Sequence, residues 1–248
     1  MQSISKRELF IEAFNVYKEN ASFLINIGFL IFTIQIIFPS LFSSLLGGNA
    51  TVYILYQIAY TILSTGVSLG IIVQLIRIIR GGAPGNISCV FNYFHKVPAN
   101  LIGSFIVISS IVCATLLFSM AILDSDIYKE IATGISSGVN LDFKMIFGEN
   151  LPPILVGALI VFGIMVVYLS IKTHFFVYFI MDKNMGPLVA LKESFLSTNG
   201  LEAELFIVWS LMACLNLMGA VLYMLGLLFT LPFTMIVISL IYNKYLCK

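Results

Sequence analysis

Charged residues divide this chain into a few long apolar runs, and the lengths of those runs predict its elements. None lies between Glu19 and Arg77, a stretch of 57 residues. A helix needs about 20 apolar residues to cross roughly 30 Å of hydrocarbon, so this run predicts two spans, with the break at Gly47-Gly48-Asn49. The 27 residues between Lys96 and Asp124 give one span, and the 22 between Glu149 and Lys172, with apolar character resuming as far as Ile180, give one long one. The 39 residues between Glu204 and Lys244 hold two, provided the turn near Leu225-Gly226 is tight. Segments such as Ile31 to Phe38 lack the alternation of a barrel strand, and helices are then the remaining way to satisfy a backbone in lipid. The predicted fold is all-α: a polytopic membrane protein with six transmembrane helices at about 21–46, 52–76, 98–123, 152–181, 203–224 and 227–245.

Three shorter amphipathic stretches precede the first, third and fifth spans. In 5–19, Leu9, Phe10, Ala13, Phe14 and Tyr17 share a helical face, while Lys6, Arg7, Glu8, Glu12, Lys18 and Glu19 take most of the other. In 87–97, Val90, Phe91, Phe94 and Val97 recur at similar spacing after a Gly81-Gly82-Ala83-Pro84-Gly85 joint. In 187–198, Leu188, Leu191 and Phe195 line up beside Lys192 and Glu193. Each is predicted to be an interfacial helix lying in the headgroup plane, which makes a threefold unit of interfacial helix plus transmembrane hairpin. The likeness of Glu12-Ala13-Phe14 to Val189-Ala190-Leu191 fits an internal hairpin repeat. Ordinary growth of a bundle fits it equally.

Composition supports the lipid setting. Of 248 residues, 60% are hydrophobic and 10% charged, with a mean hydropathy of +1.04, whereas a soluble domain carries about 25% charged residues. A soluble enzyme, a secreted disulfide scaffold and a nucleic-acid binder are excluded on that ground, and the net charge of +1 draws no partner. Threaded six times, the chain places eleven of its thirteen basic residues on the side of its termini, leaving Lys129 and Lys144 opposite. Basic loops stay cytoplasmic. Both termini are therefore expected in the cytoplasm of a cell with an inner membrane, and 124–150 is expected to form an outward loop acting as a solvated connector. No cleavable targeting segment is expected at the start.

Candidate chemistry is sparse. Ionisable groups inside a bundle are costly and persist mainly for function, and none falls near a predicted span centre. Gln35, Gln57, Gln74 and Asn216 suit interhelical hydrogen bonds, and Arg77 and Arg80 suit snorkelling at the end of the second span. The best cluster is Lys172 and His174 in the fourth span with Glu202 and Glu204 at the start of the fifth. It admits two readings: an interhelical ion pair lining an inner vestibule, or a lysine and histidine reaching for the headgroups. Cys89, Cys113, Cys214 and Cys247 lack C-x-x-C spacing, and His95 and His174 share no helix, so no metal, cofactor or disulfide is expected. Asp124, Asp126 and Glu130 lack the glycine and ligand count of a calcium loop. No nucleophile with a base, and hence no catalytic residue, is legible. Gly66-x-x-x-Gly70 predicts close helix packing on the second span. Gly157 with Gly163 and Gly219 with Gly226 lighten later spans, while Pro39 and Pro232 should bend the first and sixth.

The segment Val189-Ala-Leu-Lys-Glu-Ser-Phe195, then Asn199-Gly200, then Leu225-Gly226 leading to Pro232 and Ile241-Tyr242, resembles a bacterial superfamily. It comprises six-span YciC-like membrane proteins and the membrane region attached to some glycerophosphodiester phosphodiesterases. Arg77 to Gly82 followed by Phe91 is similar to theirs as well. The resemblance implies a cytoplasmic-membrane protein without catalytic residues to carry over, and no phosphodiesterase domain is present. Together these features lead to the expectation of a non-catalytic membrane protein acting through membrane lipids or another membrane protein. The alternative is a transporter or channel with its vestibule near Lys172 and His174.

Overall fold

The computed structural model describes residues 4–45, 50–123, 153–221 and 225–247. Among them every regular element is a helix. We number them α1 (Lys6–Glu19), α2 (Ala21–Phe32), α3 (Phe38–Leu45), α4 (Ala50–Ile79), α5 (Val97–Leu123), α6 (Pro153–Thr173), α7 (Phe176–Asp182), α8 (Pro187–Ser197), α9 (Glu202–Val221) and α10 (Leu227–Ile241). A π-helical turn at Thr33–Ile37 joins α2 to α3, a second at Tyr242–Leu246 extends α10, and a 3-10 helix at Ile87–Lys96 leads into α5.

Among the described residues, six helical segments are long and apolar enough to cross a membrane: Ala21–Phe42, Ala50–Ile79, Ile87–Leu116, Leu159–Asp182, Glu202–Val221 and Leu227–Leu246. The chain is thus a multi-pass membrane protein of all-α class. The third segment begins earlier than the expected residue 98 because the 3-10 helix runs directly into α5, whose first turn tolerates Pro98. The expected outward loop 124–150, with Asp124, Asp126 and Glu130, and the expected turn at Gly47-Gly48-Asn49 lie outside the described residues.

The chain forms two compact units, Met1–Gly103 with Ile171–Lys248, and Ser104–Ser170. In the smaller one, Phe118 and Phe162 stack at 4.8 Å between ring centroids, and serine and threonine hydroxyls donate to carbonyls of their own helix, as Ser110 does to Ile106. Phe105, Ile108, Val161 and Ile164 are exposed. A helix surface of this kind requires an apolar solvent.

The larger unit holds the core. Leu9 and Ala13 of α1, Leu24 and Ile27 of α2, Ile71 and Leu75 of α4, Phe179 of α7, Leu205 and Val208 of α9, and Ile236, Leu240 and Ile241 of α10 pack into one cluster. Full burial along α4 begins at Gly66; before it the residues are exposed or half-buried, with Tyr60 and Leu63 packing against the edge of the core.

Small residues and prolines decide where the backbones meet, since lipid tails supply no hydrophobic drive between helices. Pro232 has no N–H for the carbonyl of Leu228. That carbonyl is aimed at Gly28 of α2, where a Cβ would lie 2.1 Å from its oxygen, so a glycine Cα–H meets it instead. Gly70 approaches the Val90 carbonyl, 1.9 Å from where its own Cβ would stand, and Gly66 receives the Phe94 ring. The small-residue pair therefore admits the 3-10 helix, which runs antiparallel along α4 at the start of the third apolar segment. Gly219 and Gly226 face each other across the α9–α10 turn, whereas none of the described residues lies within 4 Å of a Cβ built at Gly157 or Gly163.

Candidate functional site

The fourth apolar segment, expected as one uninterrupted helix, breaks at His174–Phe175 between α6 and α7. A break exposes backbone carbonyls that need other donors. The carbonyl of Lys172 accepts a 2.7 Å hydrogen bond from Ser194 Oγ of α8, both groups being buried. The Lys172 side chain is completely enclosed. Its Nζ donates to Glu202 Oε1 at 2.5 Å and to Asn199 Oδ1 at 2.6 Å, and lies 5.1 Å from the centroid of the Phe195 ring.

Local sequence brings these groups together. Gly200 takes a positive φ of 80°, the left-handed conformation that glycine adopts freely after a helix. This turns the chain from α8 into α9 and brings both Asn199 and Glu202 to the lysine. Glu202 also opens α9, where a carboxylate suits the helix dipole.

Of the four expected cluster residues, only Lys172 and Glu202 pair with each other. His174 sits at the break with its ring edge-on to Trp209 of α9, 4.5 Å between centroids. The carboxylate of Glu204 accepts from the backbone N–H of Ile4 and so ties down the segment ahead of α1. Lys172 is turned inward onto Glu202 and Asn199.

A second charged cluster was not legible as such. Arg80, expected to snorkel, instead grips Asp182 with both terminal nitrogens, at 2.6 and 2.8 Å. Asp182 also accepts from Tyr242 Oη at 2.9 Å and Cys247 Sγ at 3.3 Å, and Arg80 Nε donates to Asn243 at 3.0 Å. Hydrogen bonding to Asp182 raises the pKa of Arg80 above the ordinary arginine value. The ends of α4, α7 and α10 are thereby tied together. The signal available in the sequence was the opposite sign of Arg80 and Asp182, each at the end of an apolar segment. Lys244 pairs with Glu12, and Lys96 with Asn184, whose positive φ of 54° shapes the α7–α8 turn.

The amides act more locally than expected. Gln74 accepts from Gly85 N–H at 3.1 Å, fixing the glycine-rich joint onto α4, and Gln57 donates to Tyr53 Oη on its own helix at 2.8 Å. The exposed half of α4 and Leu101 of α5 line an open groove of about 410 Å3, with Ile54, Ile58 and Ile62 on its wall. Comparison with protein families, with curated proteins and with solved structures finds no match to this chain.

Proposed function

We propose that this chain is a non-catalytic protein of the cytoplasmic membrane, with both termini inside, that acts through contacts with lipid or with a partner membrane protein. The observation that carries this reading is the use made of the enclosed charge. Lys172 is committed to Glu202, Asn199 and the α8–α9 turn, an arrangement that staples helices together. The apolar groove on α4 has the volume of a small-ligand pocket and the lining of an acyl-chain site. The resemblance to YciC-like six-span proteins belongs to the same proposal.

Photo-crosslinking in native membranes tests it. Recovery of one lipid class or one membrane protein, out of proportion to its abundance, is the expected result. Recovery of only bulk lipid in proportion to its abundance would sink the proposal.

A transporter is the second reading, favoured by the helix break beside Lys172. Discontinuous helices shape substrate sites in many carriers. It requires that the Lys172–Glu202 pair open to admit water or a solute.

A further inference from the structure

Helix α8 turns most of its large apolar residues outward, while Leu191 packs against the core. Leu188, Val189, Phe195 and Leu196 are 68%, 58%, 39% and 51% exposed. At 3.6 residues per turn they form one arc around exposed Lys192. Inward lie Ala190 and Ser194, followed by Thr198 just beyond the helix end, all fully buried. A helix on a water-facing surface has the reverse arrangement, because buried polar groups are costly unless bonded. Here they are bonded: Ser194 to the Lys172 carbonyl, and Thr198 Oγ1 to the Ser194 carbonyl at 2.8 Å. The inner face is satisfied by backbone acceptors, and the outer face has an oily surface with nothing aqueous to gain.

We propose that α8 is a lipid-inserted helix whose outer arc enters the acyl layer of the leaflet at the charged end, with Lys192 reaching an anionic phospholipid headgroup. This rests on the reading of the chain as a lipid-contacting membrane protein and names the lipid and the surface that meets it. Three observations select a bilayer as the occupant. Only four residues, Thr198 to Leu201, separate α8 from the apolar segment of α9, a tether of at most about 14 Å. Helix α9, which follows directly after that turn, exposes Phe206, Ile207 and Leu211, so the next helix also presents side chains suited to acyl chains. Among the described residues Lys192 makes no ion pair, and its aliphatic stem can lie along that surface while its ammonium meets a phosphate.

The test places a nitroxide at Leu188→Cys, Val189→Cys or Leu196→Cys, with the four native cysteines replaced by serine. The full-length protein is reconstituted in phosphatidylcholine nanodiscs with or without phosphatidylglycerol. Collision with oxygen is compared with collision with a water-soluble nickel chelate. Ile108→Cys on α5 reports a membrane span, and Asn15→Cys on α1 reports a polar surface. The α8 labels should match Ile108, with an oxygen-to-nickel ratio several-fold above that at Asn15. Phosphatidylglycerol should raise the ratio at Leu196 further, and Lys192→Gln should abolish only that increment. Grouping of α8 with Asn15 while Ile108 stays immersed overturns this proposal alone. Grouping of Ile108 with Asn15 overturns the membrane reading itself. Shielding of α8 from both reagents puts protein on the face and overturns the lipid assignment, and indifference to phosphatidylglycerol overturns the headgroup. Should the serine-substituted protein fail to fold, Leu196→Trp with Trp209→Phe gives the same readout through quenching by brominated acyl chains.

Discussion

Helices α1 and α8 are both short, both amphipathic and both placed just before an apolar segment, yet they are turned opposite ways. Helix α1 buries Leu9 and Ala13 and sets Phe10 and Tyr17 against Phe233 of α10. Its exposed residues are Arg7, Glu8, Asn15, Lys18 and Glu19 together with Ile11 and Phe14. Helix α8 fully buries only Ala190 and Ser194 and exposes Leu188, Val189, Phe195 and Leu196, with Leu191 half-buried against the core. One is held by hydrophobic packing beside a polar medium, the other by hydrogen bonds beside an apolar one. Spacing along a helix reveals that its two faces differ, but not which of them meets the protein. The periodicity of both helices is therefore equally clear while their orientations differ.

The contrast can be broken first where α8 is anchored. Glu202→Ala leaves the enclosed Lys172 ammonium without its carboxylate; removing one member of a fully buried pair costs about 3–5 kcal/mol, and because Glu202 is only half-buried the loss should lie toward the lower end of that range. Thermal unfolding in nanodiscs should show this as the largest loss of the series. Lys172→Met with Glu202→Leu should recover most of it, because an apolar pair of similar volume replaces the charges. A double variant as unstable as the single one would mean that the charges do more than staple. On α1 the corresponding anchor is apolar. Leu9→Ala empties a site with 2% exposure and should cost about 3 kcal/mol, while leaving the accessibility of α8 labels unchanged.

Smaller changes sharpen the same comparison. Ser194→Ala removes the donor to the Lys172 carbonyl and should cost about 1–2 kcal/mol. Its companion on α1, Ala13→Ser, should destabilise as well, since that face packs into the apolar core. A stability gain from Ala13→Ser would undo the claim that the two inner faces differ in kind. Least of all, Glu12→Gln, which breaks an exposed pair with Lys244, should shift stability by under about 1 kcal/mol and lose even that in high salt.

Much of the fold was legible because charge positions bound the apolar segments: the six stretches follow directly from the gaps after Glu19, Lys96, Glu149 and Glu204. What could not be read was contact across the sequence. Gly28 stands in α2 without a motif, and its role emerges only when Pro232, near the other end of the chain, frees the Leu228 carbonyl against it. The break at His174–Phe175 carries neither glycine nor proline. It is stabilised by Ser194 and the core packing of Phe175, both of which come from tertiary structure. Lys172 and Glu202 were visible as a candidate pair, but whether the lysine turned inward or outward depended on Asn199 and Gly200, which read as an ordinary turn.

A high-resolution map of the protein in lipid nanodiscs tests the central claim most directly. Continuous side-chain density from Lys172 to Glu202 and Asn199, with acyl-chain density along Leu188 and Leu196, is the predicted result. A water-filled cavity reaching Lys172 and His174, holding a solute between a separated Lys172 and Glu202, would contradict it.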